Sequence, residues 1–128
     1  MTSELYYLAA SGALLLVLTL IQGTRNVLVL GLPKAAANPE PIVWEGMNDR
    51  LNRSISNLIE ALVIFTPLAV VVSVAGLSNE TTALGAQLFF FARVAHAVVY
   101  IIGLPYIRTG AWAAGVAGIV MVAMSALG

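Results

Sequence analysis

The feature that most limits what this chain can become is a run of twenty residues, Leu5–Thr24, without one charge. A helix rises ~1.5 Å per residue and needs about 20 residues to cross ~30 Å of hydrocarbon, so this stretch is long enough to span a bilayer. It is longer than the ~7–15 residue apolar core of a cleaved secretory signal. The segment before it also carries Glu4 and no Lys or Arg, so we take it as a permanent span. A polar loop is expected over Arg25–Asp49, with Pro33, Pro39, Pro41 and Lys34 in it.

Three further spans are expected. Ala61–Leu77 is apolar, and its helix is expected to begin near Asn48 or Asp49, because no breaker interrupts Arg50–Glu60 and Asp49 is a good cap. Pro67 inside it should kink it, which membrane helices tolerate when neighbours satisfy the freed carbonyl. Ser78–Thr82 is placed as a short turn. Leu84–Leu104 is apolar apart from Gln87, Arg93 and His96, with Pro105 as its stop, and Thr109–Gly128 is charge-free. The expected fold is an all-α integral membrane protein: one domain, residues 1–128, an antiparallel four-helix bundle with spans at about 5–24, 49–77, 84–104 and 109–127. Composition rules out the soluble alternative, since 60% hydrophobic residues cannot be covered by six basic and six acidic ones. Membrane lipid is the expected surrounding, and no nucleic-acid partner is expected.

Charges orient the bundle. Arg25, Lys34, Arg50, Arg53 and Arg108 flank the side shared by the first and third connections, whereas Glu4 and Glu80 lie on the other. The positive-inside rule therefore puts both termini on the non-cytoplasmic side. Tyr6 and Tyr7 at one boundary, and Trp44, Tyr106 and Trp112 at the other, are placed as interfacial anchors. Gly110, Ala114 and Gly118 form a four-residue small-residue stripe, which either admits a neighbouring helix or is chance in an Ala/Gly-rich segment.

The polar residues that hydrocarbon should reject carry the functional information. Arg53, Asn57 and Glu60 share one face of the second helix, and Arg93, His96 and Tyr100 share one face of the third, each set within about 60°. In an antiparallel pair, equal depth matches Arg93 with Glu60, His96 with Asn57 and Tyr100 with Arg53. An unpaired charge near the bilayer centre is unfavourable by at least ~2.5–3.5 kcal/mol, so these pairings are expected as contacts. Such a ladder is either helix–helix glue or the wall of a pocket. Six polar groups exceed what glue requires, and intramembrane ionisable residues are functional by default. No metal site is expected from one histidine, one nearby carboxylate and no cysteine. The missing cysteine also excludes a thiol nucleophile from the chain itself, so thiol chemistry must use a borrowed thiol. Beyond Arg93 and Glu60 both helices turn apolar, so the pocket is dead-ended and opens to the cytoplasm.

These residues resemble the MAPEG family, membrane-associated proteins in eicosanoid and glutathione metabolism. The resemblance covers nearly the whole chain: Arg53, Asn57 and Glu60; Arg93, His96 and Tyr100; Arg108 with Thr109; and, more weakly, Arg25 and the Ala37–Glu40 segment, which are similar to the prostaglandin E synthase branch. It implies a homotrimer with glutathione as cosubstrate in a cytoplasm-facing cleft between subunits, lined by Arg53, Asn57, Glu60, Arg93, His96 and Tyr100. It implies that Arg108 activates the thiol, with Arg25 as the alternative, and that a lipophilic small-molecule substrate arrives from the lipid. A short version of the fold such as this looks bacterial, which places it in an inner membrane. The activity implied is that of a glutathione-dependent transferase or peroxidase acting on lipophilic electrophiles. The other possibility is a non-enzymatic lipid-binding or scaffold member of the same fold.

Overall fold

The computed structural model describes residues 1–33 and 46–128. Lys34, the Ala37–Glu40 motif and Trp44 lie outside the described residues. Four helices succeed one another, α1 Ser3–Leu30, α2 Gly46–Val74, α3 Glu80–Ile102 and α4 Pro105–Leu127, with no strand among the described residues. Each is long and apolar enough to cross a membrane. This is the multi-pass, all-α antiparallel bundle expected.

Local signals set the ends. α1 starts behind Thr2, whose hydroxyl accepts the Leu5 amide, and does not stop at Arg25. It runs on to Leu30 and is closed by Gly31 at φ 82°, so the first connection is shorter than the charge pattern implied. A charge ends a hydrocarbon span; it does not end a helix. α3 begins with a reciprocal box, the Asn79 side chain taking the Thr82 amide and Thr82 Oγ taking the Asn79 amide, inside the segment expected as turn. It ends at Gly103 in the left-handed region, and Pro105 is the first residue of α4 rather than the stop of α3. α2 stays helical through Pro67.

α2 and α3 form the central pair. α1 packs on both from one side, α4 packs on both from the other, and α3 with α4 is the most extensive contact. In the half near the termini, Phe65, Ala69 and Val72 of α2 meet Ala86 and Phe89 of α3 and Val122 of α4. Phe65 stacks on Phe89 at 4.2 Å, within one residue of the expected register. Gly85 and Gly118 let the backbones of α3 and α4 touch: a Cβ on Gly118 would lie 2.5 Å from the Gly85 carbonyl oxygen. Of the small-residue stripe, then, Gly118 serves contact within the subunit, whereas Gly110 faces open space. In the other half the core is Leu18, Leu51, Ile55, Leu58 and Ala97, from α1, α2 and α3 alone. α4 does not join that cluster, and a cleft opens beside it.

Candidate functional site

α3 forms the floor of this cleft, with α2 and α4 as its walls. A deeper cavity of about 240 Å³ is lined by Asn57 and Glu60 of α2, Arg93 and Phe89 of α3, and Trp112 and Gly115 of α4, with Ala61, Ile64, Val116 and Ile119 making its apolar end. A cavity of about 290 Å³ nearer the α3–α4 corner is lined by Asn57, His96, Tyr100, Arg108, Thr109 and Trp112. Asn57 and Trp112 belong to both, so the two make one continuous groove. Together they reach the ~300–1,000 Å³ of small-molecule sites.

At the mouth, the Arg108 guanidinium carbon sits 4.6 Å from the centroid of the Tyr100 ring, a cation–π distance, and the His96 ring lies 5.4 Å from the Tyr100 ring. Deeper in, Arg93 and His96 are 3% and 2% exposed, yet Arg93 Nε and His96 Nδ1 have no hydrogen-bond partner among the described residues. A buried polar atom left this way is unfavourable by ~1–3 kcal/mol, which makes both atoms notable in a helical bundle.

The structure keeps the outermost rung of the expected ladder, Arg53 beside Tyr100, and corrects the two deeper ones. Arg93 and Glu60 share a cavity but form no ion pair, and His96 and Asn57 share one without a hydrogen bond. Among the described residues the ion pair found is Arg53 with Asp49, 3.0 Å apart along α2 itself. Arg53 lies beside Tyr100 but points outward, with its side chain 66% exposed, and lines neither cavity. Glu60 is exposed. Arg25 is elsewhere: its Nε donates to Asn48 Oδ1 at 2.6 Å between α1 and α2, beside the Gln22–Asn52 hydrogen bond of 2.5 Å. Of the two arginines considered for the thiol, only Arg108 lines the groove.

Sequence reasoning missed the α4 wall. Trp112 looked like an interfacial anchor, yet Arg108, Trp112, Gly115 and Ile119 fall on one helical face and all line the groove. That periodicity was the signal that could have found them. Glu4 was missed too. It is fully buried and accepts the Ser78 hydroxyl at 2.9 and 3.0 Å, a structural role in addition to its place as a flanking charge. Tyr7, expected at the interface, packs on the terminal-half core and on Phe90.

Fold and groove define a multi-pass membrane protein with a polar, arginine-rich cleft set into one face of a four-helix bundle. The MAPEG family model matches residues 5–128, and the chain belongs to the MAPEG family. Neither a curated protein nor a solved structure matches it. Membership supports a membrane protein of glutathione or eicosanoid metabolism in general, and glutathione is a cosubstrate of family members.

Proposed function

We propose that this chain is a glutathione-dependent membrane transferase or peroxidase for lipophilic electrophiles, with the thiolate held by Arg108. The observation that carries the reading is the placement of Arg108 over Tyr100 at the mouth of a groove whose deeper polar atoms, Arg93 Nε and His96 Nδ1, are unsatisfied.

The residues present fit such a ligand. Arg93 Nε offers a buried N–H to a carboxylate, Asn57 offers an amide, and Glu60 offers a carboxylate to an ammonium. Bound glutathione supplies the thiol whose sulfur displaces a leaving group from an electrophilic carbon, the leaving group taking the bonding electron pair. Arg108 contributes positive charge at the mouth, which favours the thiolate while the thiol proton passes to water there. Ile64, Phe89, Val116 and Ile119 give the electrophile an apolar, water-excluding bed.

The same reading includes a homotrimer. Glu60 is midway along α2, about 21 Å from either end, and exposed in the single subunit. A charge facing hydrocarbon is unfavourable by ~2.5–3.5 kcal/mol, so a second copy is the fitting cover, with Arg53 at the same seam. Arg25, Arg50, Arg53 and Arg108 at one end, against Glu4 and Glu80 at the other, support a cytoplasmic mouth; the reading includes a bacterial inner membrane as its location.

Arg108→Ala tests the mechanism against Arg25→Ala. With a generic aryl halide, turnover of Arg108→Ala is expected to fall ~100-fold or more with glutathione affinity little changed. The deficit should shrink between about pH 6.5 and about pH 9, where hydroxide supplies thiolate unaided. A large, pH-rescued loss in Arg25→Ala with a silent Arg108→Ala would reverse the assignment. Absence of any glutathione binding would leave the lipid-binding alternative.

A further inference from the structure

We infer that Arg50 is a positioning residue for Arg108, a clamp thrown from α2 onto the α3–α4 corner that fixes where the first turn of α4 points. The inference rests on the proposed role of Arg108.

The last carbonyls of a helix lack intrahelical donors. At the end of α3 the Val99 carbonyl accepts both the Gly103 and Leu104 amides, at 2.9 and 3.0 Å, which closes the turn. The Ile101 carbonyl is met from outside, by Arg50 Nε at 2.8 Å. The Arg50 side chain also lies along Gly103, where a Cβ would come within 3.6 Å of its Cδ and Nε and 3.8 Å of Cζ. Gly103 holds φ 95°, ψ 33°, a left-handed conformation that glycine adopts without strain. One guanidinium thus bonds the helix end and covers the corner, and its positive charge suits the negative end of the α3 dipole.

The corner leads directly into the α4 wall of the groove, so its position matters to the site. Gly103 and Leu104 alone separate α3 from α4, Pro105 opens α4, and the Arg108 amide already donates to the Leu104 carbonyl at 3.1 Å. Any shift of Ile101 or Gly103 is carried through one rigid turn to the Arg108 guanidinium. Arg50 stands two turns before Asn57 on the same face of α2, so the clamp also sets the spacing between the Asn57 wall and the Arg108 wall. Lysine could carry the charge to the helix end but has no planar fork to lie over Gly103.

The test uses the full-length protein in lipid, with Trp44→Phe so that Trp112 in the groove is the remaining tryptophan. Arg50→Ala is expected to lower aryl-halide turnover ~10- to 100-fold near neutral pH, because an ångström-scale misplacement has that effect. Glutathione affinity should stay within about two-fold, and the loss should shrink at alkaline pH. In an Arg108→Ala background Arg50→Ala should cause no further loss, and iodide quenching of Trp112 should rise as the corner lifts. Arg50→Lys should show the same pattern more weakly, and it carries the test if Arg50→Ala does not fold. Unchanged Trp112 quenching in both variants, or losses that add in full to that of Arg108→Ala, would overturn the proposal. If Arg108→Ala is itself silent while Arg50→Ala exposes Trp112, the clamp stands and the thiolate role fails.

Discussion

At the end of the bundle that carries both termini, polar side chains are closed on one another. Thr2 and Ser73 share a 2.6 Å hydrogen bond, Ser78 donates to Glu4, Ser125 donates to the Leu77 carbonyl at 3.0 Å, and Asn79 and Thr82 cap each other across the start of α3. In the groove, by contrast, Arg93 Nε and His96 Nδ1 are buried without partners among the described residues, and Glu60 is exposed midway along a spanning helix. Both regions place polar atoms at positions that hydrocarbon disfavours. The first satisfies them internally and so behaves as mortar; the second leaves its hydrogen-bonding capacity for something that arrives. Substitution should therefore damage stability at one and binding at the other.

The largest effect expected is on binding, from Arg93→Leu. Leucine keeps the apolar stem against Gly115 and removes a guanidinium whose Nε is unpartnered. Removing one side of a buried charged contact is unfavourable by ~2 kcal/mol or more, so glutathione affinity should drop at least ~30-fold by calorimetric titration. Thermal stability without ligand should hold or rise, since the change removes an unsatisfied buried cation. A steep loss of melting temperature in the ligand-free protein would erase the contrast between the two regions and make Arg93 mortar as well.

Glu4→Gln should do the reverse. The side chain is 0% exposed and its two oxygens share the single Ser78 hydroxyl proton, so neutralising it weakens a charge-assisted bond worth ~1.5–3 kcal/mol. Denaturation in a fixed lipid–detergent mixture should register that loss, while glutathione affinity stays as it was. A change in affinity would show that the termini and the groove are coupled.

The contrast was half legible in the sequence. Four spans and two polar stripes can be read from charge-free lengths and helical spacing, and the α2–α3 register survives in the Phe65–Phe89 stack. Spacing along one helix, however, does not say how far that helix is rotated toward its neighbour. The α2 stripe is turned outward at Glu60, and the α3 stripe shares its groove with α4, so the two deeper pairs, Arg93 with Glu60 and His96 with Asn57, do not bond, whereas Arg53 does lie beside Tyr100. Helix ends were misplaced where charge stood in for a boundary, at Arg25 and Arg108, because a helix can leave the hydrocarbon and continue. Gly31 and Pro105, whose backbone preferences set those ends, were the better markers. Glu4 was invisible as mortar because its partner, Ser78, is 74 residues away.

The smallest expected effect tests whether burial, not bond count, sets the strength of the mortar. Ser125 Oγ donates to the Leu77 carbonyl as Ser78 Oγ donates to Glu4, but the acceptor is neutral and this bond is exposed where Glu4 is fully enclosed. Leu77 belongs to the turn after α2, at the bundle end, so water can take over its carbonyl when the hydroxyl is removed. Ser125→Ala should therefore weaken the fold by only ~0.6 kcal/mol, the average for side-chain hydrogen bonds between membrane helices, and leave glutathione binding unchanged. Combined with Glu4→Gln it should depart from additivity, because their partners, Leu77 and Ser78, are neighbours in one turn. A Ser125→Ala loss as large as that of Glu4→Gln would mean that water does not reach the Leu77 carbonyl and that burial does not separate the two bonds.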